Sequence, residues 1–398
     1  MKKLLLLGAV PTAIPLIKKA RERGIYVVSC DYLPENKGHT FADESYFYST
    51  TDIPAILALA RQLKIDGILS FNSDVSAYTA AVVSKQLGVP GNSPEVINAL
   101  TQKGLFRQLL RDYHFNTPGF IRIDSEQCLK ERLSEISFPA IVKPVDLSGS
   151  KGVVKVNNRE ELFPSAENAL RISRSHKAIV EEFIEAKGGQ LHGDGFVKDG
   201  ELVFACLGDH HYGALMNNFV PFSTTIPSQH DSVDIERVLR EVSRFISVSG
   251  LRNGGINIEA RISAKNNEVY IMEIGPRNGG NYIPRVIEFA TGFDFDNAAL
   301  NAALGLPADR KATHSVDSFY SYLVLHTNQS CKFSGINYSE KLKKAILEEH
   351  VFVDLGDEIL PFDGGNKSVG TLILKTTTME EMKELVDNCG HHYHIHSL

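Results

Sequence analysis

Two glutamates at the ends of a hairpin-like segment have the spacing of metal ligands. Asn257–Ile258–Glu259 precedes Met272–Glu273–Ile274, and the residues Lys265–Asn266–Asn267 between them are typical of a turn. On antiparallel neighbouring strands Glu259 and Glu273 would lie close together, and two such carboxylates repel unless a cation lies between them. Mg²⁺ is usually held by one or two carboxylates together with nucleotide phosphates. The pair predicts a magnesium site, with a structural salt bridge as the alternative.

A lysine followed by a glycine- and serine-rich turn is a candidate phosphate site. The strand-like segment Pro139–Pro144 carries Lys143, and Ser148–Gly149–Ser150–Lys151–Gly152 follows it. Glycine lets the backbone approach a ligand closely, so the N–H groups of such a turn can cradle phosphate. The turn is not of the Walker type, because no helix opening with Gly-Lys-Ser/Thr follows. An ordinary hairpin turn with an exposed lysine is the alternative.

Two carboxylates end an apolar strand at Val180–Glu181–Glu182–Phe183–Ile184. An adenine edge requires one acceptor for its amino group and one backbone N–H for a ring nitrogen. A strand that enters a linker can supply both groups. The segment is therefore a candidate adenine site, and a solvated strand end is the alternative.

Arg277 follows the predicted metal strand directly, in a segment that also contains Gly275, Gly279 and Gly280. A guanidinium fixed at this position could clamp a phosphoryl group through paired hydrogen bonds. The sequence thus places a candidate catalytic arginine next to the candidate metal ligands.

The elements that must position these residues begin with alternating strands and helices. The short apolar runs Leu4–Leu7, Tyr26–Cys30 and Gly67–Ser70 are typical of strands buried on both faces of a parallel sheet. Segments with helical spacing separate them, so we predict an α/β protein that starts with a Rossmann-like domain over residues 1–92. Antiparallel segments follow, and the chain ends in a βαβ-like run through Gly370–Lys375, Met379–Cys389 and Tyr393–Ile395.

Composition limits the functional class. Lysine and arginine number 42 and aspartate and glutamate 48, a net charge of −6, which favours neither nucleic acid nor an anionic membrane as a partner. The five cysteines are scattered without a CxxC motif, as in proteins of a reducing compartment, and they argue against zinc. No apolar run approaches the ~20 residues of a membrane span. We expect a cytoplasmic protein.

Together these residues resemble the ATP-grasp superfamily, from residue 1 to about residue 390. The order and spacing of the motifs carry the resemblance: Lys103 on a helix after the first domain, Lys143 with its glycine-rich turn, the Glu181–Ile184 segment, and Glu259…Glu273-x-Gly275-x-Arg277-x-Gly279-Gly280. The resemblance implies a split ATP-grasp domain over 93–308, with a helical linker, a small β lobe at about 120–185 and a large lobe. A C-terminal α/β lobe would cover 309–398.

The resemblance also implies the nucleotide and metal sites. Lys103 and Lys143 would hold ATP phosphates, and Arg277 would be the catalytic residue that stabilises the transferred phosphoryl group. Glu259 and Glu273 would bind Mg²⁺, with Mn²⁺ as an alternative metal in its place. The remaining nucleotide-binding residues would be Ser148, Gly149, Ser150 and Gly152 over the β- and γ-phosphates, Glu181, Glu182 and Ile184 at the adenine, and Gln190.

Two positions depart from the family pattern. The ribose is usually held by a glutamate, and the matching residue here is Gln190, after an apparent insertion at Lys187–Gly189. The metal strand usually ends Glu-x-Asn-x-Arg, whereas this chain has Gly275 where the asparagine would be. A metal ion could therefore be held more loosely.

The implied activity is that of an ADP-forming ligase that activates a carboxylate as an acyl phosphate for attack by an amine. Small-molecule carboxylates and amines would be its partners, and a homodimer its assembly. The first alternative keeps the fold and uses bicarbonate, as carboxylases and carbamoyl-phosphate-type enzymes do. The others are a nicotinamide-dependent oxidoreductase, which the absence of GxGxxG at Gly8 disfavours, and a nucleotide-binding regulator without turnover.

Overall fold

The first domain is a parallel α/β layer, as the apolar runs predict. The structure, a computed structural model, describes residues 1–147, 149–213, 219–307, 316–362, 364 and 367–397. In chain order the first domain contains β1 (Lys3–Leu7), α1 (Ile14–Glu22), β2 (Tyr26–Cys30), β3 (Glu44–Tyr46), α2 (Ile53–Leu63), β4 (Gly67–Leu69) and α3 (Asp74–Leu87). The strands pair in parallel in the order β3-β2-β1-β4. Residues 4–7 are at most 2% exposed because β1 is central in this sheet.

Two linker helices lead into a small antiparallel lobe. The elements are α4 (Pro94–Thr101), α5 (Lys103–Asp112), β5 (Phe120–Ile123), α6 (Glu126–Glu131), β6 (Ala140–Pro144), β7 (Val154–Val156), α7 (Arg159–Ile172) and β8 (Ala178–Glu182). The strand order is β5-β8-β6-β7, and every pair is antiparallel. The predicted hairpin around the glycine-rich turn is confirmed, since β6 pairs with β7.

A large sheet with helices on its faces follows. Its first elements are β9 (Leu191–Lys198), β10 (Glu201–His211), β11 (Ser223–Ile226), α8 (Ser232–Ser249), β12 (Gly254–Ile262), β13 (Val269–Gly275), α9 (Ile283–Thr291) and α10 (Phe295–Leu304). Helix α8 packs against the face that carries Leu191 and Val197, and α9 packs against the face that carries Phe196. The predicted β12–β13 hairpin is confirmed.

The C-terminal part continues the same sheet. Its elements are β14 (Phe319–Leu325), β15 (Cys331–Tyr338), α11 (Glu340–Ala345), β16 (Ile346–Val351), β17 (Glu358–Ile359), β18 (Gly370–Thr376), α12 (Met379–Asp387) and β19 (Tyr393–Ser397). The large sheet has the order β13-β12-β9-β10-β11-β14-β18-β16, and β17-β15-β19 form a separate one. The boundary predicted near residue 308 thus divides one sheet, because β11, which precedes it in the chain, pairs with β14, which follows it.

The strand–helix–strand order predicted for the end of the chain is confirmed, but its two strands do not share a sheet as a βαβ unit requires. Strand β18 lies inside the large sheet, whereas β19 pairs antiparallel with β15 in the separate sheet. The physical reason is visible in β19, whose residues Tyr393–Ser397 alternate aromatic or aliphatic with polar side chains. Such alternation is typical of a half-exposed antiparallel strand and not of a buried parallel one. Within the described residues, no helix has both the length and the apolar character needed to cross a membrane.

The first domain fits closely against helix α10. A Cβ atom at Gly67 in β4 would lie 2.1 Å from the carbonyl oxygen of Ala303 and 2.9 Å from its carbonyl carbon. Polar contacts reinforce this packing, because the Lys19 ammonium lies 2.6 Å from Asp294 and Arg23 donates to Asn301 at 2.7 Å. Helix α3, which follows β4, is thereby fixed relative to the large sheet.

The substitution Gly67→Ala should lower the free energy of unfolding by about 1–3 kcal/mol, because the backbone of α10 must shift to admit the methyl group. Urea unfolding measures this loss. Gly390→Ala is the matched control, since a Cβ atom there meets nothing within 4 Å. Equal unfolding midpoints for the two variants would contradict the close packing of β4 on α10.

Candidate active site

The predicted metal ligands face each other on neighbouring strands. Glu259 of β12 and Glu273 of β13 are direct cross-strand partners, and both side chains are partly exposed. The register then shifts, so that Ala260 pairs with Ile271 and Met272 forms a β-bulge directly before Glu273. Burial and the facing Glu273 raise the pKa of Glu259 to about 7. The predicted juxtaposition of the two carboxylates is confirmed.

A buried cluster of three charges lies beside this strand pair. The Glu181 carboxylate accepts from the Arg107 guanidinium at 2.9 Å and 3.4 Å, and its Oε1 also pairs with the Lys143 ammonium. The side chains of Arg107 and Glu181 are each only 2% exposed. Burial opposes ionisation of Glu181, but the two cations hold its pKa at about 2. The cluster therefore carries one negative and two positive charges.

Arg107 also contacts β13, the strand that carries Glu273. Its Nη1 donates to the carbonyl oxygen of Met272 at 2.8 Å, so a single side chain connects the linker helix α5, the end of β8 and the bulge in β13. A bulge removes a residue from the strand ladder, and Arg107 satisfies the carbonyl oxygen at that point. The sequence places Arg107 on the same helix as Lys103, one turn further on, but no motif indicates its role in the site.

The predicted role of the Glu181 carboxylate as the acceptor for adenine stays a prediction. Both of its oxygens accept from Arg107 or Lys143, so the group is in addition a buried counter-ion. The backbone beyond it is better suited, because the Ile184 N–H has no acceptor among the residues that the structure describes. Glu182 is half-buried at the start of this segment, and its N–H donates to the Gly119 carbonyl at 2.8 Å.

Lys103 lies at the start of the glycine-rich turn. Its ammonium donates to the carbonyl oxygen of Leu147 at 2.6 Å. Gly149, Ser150 and Gly152 have φ values of +67°, +57° and +72°, so the turn requires the left-handed conformation that glycine adopts readily. Ser148 lies outside the described residues. The structure thus brings Lys103 and the turn together.

Gln190 connects Glu259 to the segment that ends at Ile184. Its amide nitrogen donates to Glu259 Oε2 at 2.7 Å, and its oxygen accepts from Arg261 Nε at 2.7 Å. Arg261 in turn donates to the carbonyl oxygen of Ile184 at 2.7 Å. The structure therefore gives the Gln190 amide two protein partners, and its contact with a ribose stays a prediction.

Arg277 is held by a carboxylate that the sequence does not single out. Its Nε and Nη2 donate to Asp74 at 2.9 Å and 2.7 Å, a bidentate pair between the loop after β13 and the start of α3. Burial opposes the charge, but Asp74 and Glu273 raise the pKa of Arg277 above its usual value. No motif in the sequence indicates Asp74, because the partners are about 200 residues apart.

A second polar group that the sequence left undefined lies on the same face of the large sheet. The rings of His192 and His210 stack with centroids 3.8 Å apart, and Thr224 Oγ1 lies 2.9 Å from one and 3.0 Å from the other. Burial lowers the pKa of both rings, that of His192 to about 3, so both are neutral. His192 is the cross-strand neighbour of Glu259, which places this group beside the metal pair.

A cavity of about 300 Å³ brings these elements together. Lys103, Lys143 and Glu273 line it, so three predicted site residues share one space. Asp74 and Tyr78 of the first domain line it too. The cavity therefore lies where the first domain, the linker, the small lobe and the metal strand meet.

The donor set fits a metal ion that shares its coordination with a ligand. Among the described residues, no group of three or more histidine, cysteine or acidic side chains is arranged to hold a metal. Two facing carboxylates without a third protein ligand agree with Mg²⁺, which keeps phosphate and water oxygens in its shell. Zinc, which takes several nitrogen or sulfur ligands, fits less well.

Comparison with known proteins identifies the domain. A family model described as ATP-grasp domain matches residues 136–285, which include β6, Glu181, both facing glutamates and Arg277. The C-terminal section of the carbamoyl phosphate synthase large chain of Aquifex aeolicus is 26% identical over 320 residues, or 76% of this chain and 58% of that protein. The chain thus spans little more than half the length of this relative, and 30% of another carbamoyl phosphate synthase large chain.

Solved structures share the fold across the whole chain. The L-amino acid ligase of Bacillus licheniformis has a TM-score of 0.84 at 20% identity and covers 100% of this chain and 99% of its own. The biotin carboxylase domain of 2-oxoglutarate carboxylase from Hydrogenobacter thermophilus, in complex with MgADP, has a TM-score of 0.79 at 17% identity and covers 99% and 90%. The chain therefore contains a segment that matches the ATP-grasp domain, at residues 136–285, and shares the fold of these enzymes over its whole length.

Proposed function

We propose that this protein is an ATP-dependent, ADP-forming ligase that activates a carboxylate for attack by an amine. The observation that carries the proposal is the direct pairing of Glu259 with Glu273 at a cavity lined by Lys103 and Lys143. Facing carboxylates and nearby ammonium groups are the opposite charges that a magnesium–triphosphate unit requires.

The cationic side of the site supports a nucleotide with several negative charges. Arg107, Lys143 and Glu181 carry a net positive charge, and Lys103 adds another at the edge of the same cavity. Burial and the neighbouring Arg107 and Lys103 lower the pKa of Lys143, whereas Glu181 raises it. A bound triphosphate would offset the repulsion among these cations, so Lys103 and Lys143 are suited to bind phosphates. The adenine would then lie at the Ile184 N–H.

The two glutamates would hold Mg²⁺, which supplies charge neutralisation for the β- and γ-phosphates when it is bound. Gln190 keeps the Glu259 carboxylate oriented through its 2.7 Å hydrogen bond. The bulge at Met272, fixed by Arg107, orients Glu273. Use of Mn²⁺ stays a prediction, as do a homodimer and a cytoplasmic location.

In the proposed reaction an oxygen of the substrate carboxylate attacks the γ-phosphorus, and the bond to the β-phosphate oxygen breaks, which releases ADP. The amine nitrogen then attacks the carbon of the acyl phosphate, phosphate leaves and the nitrogen loses a proton. Arg277 would neutralise charge on the transferred group through its N–H donors, and the buried surroundings strengthen that interaction. The chain forms no covalent bond in either step.

Bicarbonate is the second candidate for the carboxylate. Its support is the similarity to carbamoyl phosphate synthase large chains over about three quarters of this chain. The same facing glutamates, lysines and arginine would serve this substrate, because an oxygen of bicarbonate would attack the same γ-phosphorus. The identity of the acid therefore requires a direct assay.

A phosphate-release screen tests the proposed function. The protein with MgATP should release phosphate when one matching pair of carboxylate and amine is present, and a set of amino acids, simple acids and bicarbonate covers both candidates. Omitting magnesium should abolish the signal. Tight binding of MgATP without turnover with any pair would favour the regulator, and the absence of nucleotide binding would contradict the proposal.

Glu273→Gln should lower phosphate release by a factor on the order of 100 and raise the magnesium concentration required, because one ligand charge is lost. The initial rate as a function of magnesium concentration measures both effects. Glu268→Gln, an exposed carboxylate at the other end of the same hairpin, is the matched control and should retain the wild-type rate. A normal rate for Glu273→Gln would exclude Glu273 as a metal ligand.

The apo protein should lose stability as the pH rises through the range between about 4.5 and about 7, because the folded state holds a proton on Glu259 that the unfolded chain releases at lower pH. Glu273→Gln removes the facing charge, so its stability should fall less between pH 5 and pH 8, on the order of 1–3 kcal/mol less. Urea unfolding of both proteins without magnesium at the two pH values measures the difference. A loss of ~3–5 kcal/mol in the variant at both pH values would instead indicate a buried salt bridge.

A further inference from the structure

The pair formed by Arg277 and Asp74 joins two domains at the edge of the cavity. The guanidinium donates twice to one carboxylate, at 2.9 Å and 2.7 Å, and the side chains are 11% and 16% exposed. Asp74 is the first residue of α3, a position at which an acidic side chain interacts favourably with the helix dipole. Its carboxylate is therefore fixed by the first domain and not by the loop that carries Arg277.

The pair leaves part of Arg277 free for a ligand. A guanidinium with its Nε–H has five N–H donors. Asp74 uses the Nε–H and one at Nη2, and the Asn278 carbonyl accepts one from Nη1 at 3.2 Å. Among the contacts of the described residues, one N–H at each terminal nitrogen remains, held in a fixed plane. Two coplanar donors match the geometry of a phosphoryl group.

The backbone around the pair is arranged to admit it. A Cβ atom at position 275 would lie 3.2 Å from Cζ of Arg277 and 3.3 Å from Oδ1 of Asp74, so Gly275 leaves the space in which the two side chains meet. The loop is tied to the first domain a second time, because the Asn278 N–H donates to the Phe71 carbonyl at 2.9 Å. The packing of Arg277 against Asp74 therefore explains glycine at position 275 without reference to metal binding.

We infer that Asp74 is a positioning residue for phosphoryl transfer: the first domain supplies the carboxylate that fixes the Arg277 guanidinium. This inference rests on the proposed function. In this role Asp74, although it lines the cavity, acts through Arg277 and not as a ligand of the nucleotide or the metal. Its loss should leave the binding of MgADP unchanged, because Lys103, Lys143 and the glutamates remain, and should weaken only the interaction with the group in transfer.

Binding of MgADP with and without aluminium fluoride, which mimics a transferring phosphoryl group, tests this inference without knowledge of the substrate. Titration calorimetry of the wild type should show affinity that is about tenfold or more higher with aluminium fluoride. Asp74→Asn and Arg277→Gln should each lose that gain and keep the affinity for MgADP within about twofold. The double variant should be no worse than Arg277→Gln alone, because the two residues act as a unit.

Two further variants separate positioning from a general effect on folding. Asp74→Glu keeps the charge and should restore part of the gain. Asp43→Asn is the matched control, because Asp43 also pairs with an arginine, Arg21 at 3.0 Å, in the first domain and away from the cavity. It should keep the whole gain even if it melts at a lower temperature.

The outcomes are distinct. A wild type that binds MgADP more tightly with aluminium fluoride, together with an Asp74→Asn variant that keeps this gain, would overturn the inference and leave the proposed function intact. Loss of the gain that is equal in Asp43→Asn and Asp74→Asn would also overturn it. A wild type without the gain would overturn the proposed function itself, and the inference with it.

Discussion

The buried interaction among Arg107, Glu181 and Lys143 is the constraint on which the site depends. Burying charges is costly unless they are paired and hydrogen-bonded, and here a single carboxylate serves two cations. Because Arg107 also holds the Met272 carbonyl, the end of β8 and the bulge in β13 cannot move independently. The small lobe and the metal strand are thus coupled through one side chain, and the uncompensated positive charge that remains suits an anionic ligand.

Four segments that are far apart in the chain meet at this point. The first domain contributes Asp74, the linker contributes Lys103 and Arg107, the small lobe contributes Lys143, and the large sheet contributes the glutamates and Arg277. Polar, directional contacts join them at the site, and apolar clusters join the same parts elsewhere: one packs the first domain on α10, and another packs α3, α4 and α5 with the large sheet and α8. Apolar packing therefore holds the layers together, and hydrogen-bonded charges fix the side chains that meet at the site.

The sequence predicts the secondary-structure elements better than the contacts between side chains. Alternating apolar runs give the parallel sheet, and the period of two in β12 and β13 gives the facing glutamates. Three features depend on groups that meet only after folding: the bulge at Met272, the Glu181 counter-ion and the pairing of Asp74 with Arg277. No local pattern in the sequence indicates them. The last strand is a related case, because the alternation in β19 indicates a half-exposed antiparallel strand but does not indicate that β15 is its partner.

The continuity of the large sheet from β11 into β14 affects how this protein could be recombined with its relatives. A fragment that stops near residue 308 would leave the backbone N–H and C=O groups of Ser223–Ile226 without the partners that Tyr320–Leu323 supply. Such an open edge invites pairing with other chains and aggregation. Exchange of the C-terminal part between homologous proteins would therefore have to carry β11 with it, or match its ladder residue by residue. The structural unit in this half of the molecule is therefore the large sheet, and not the segment after residue 308.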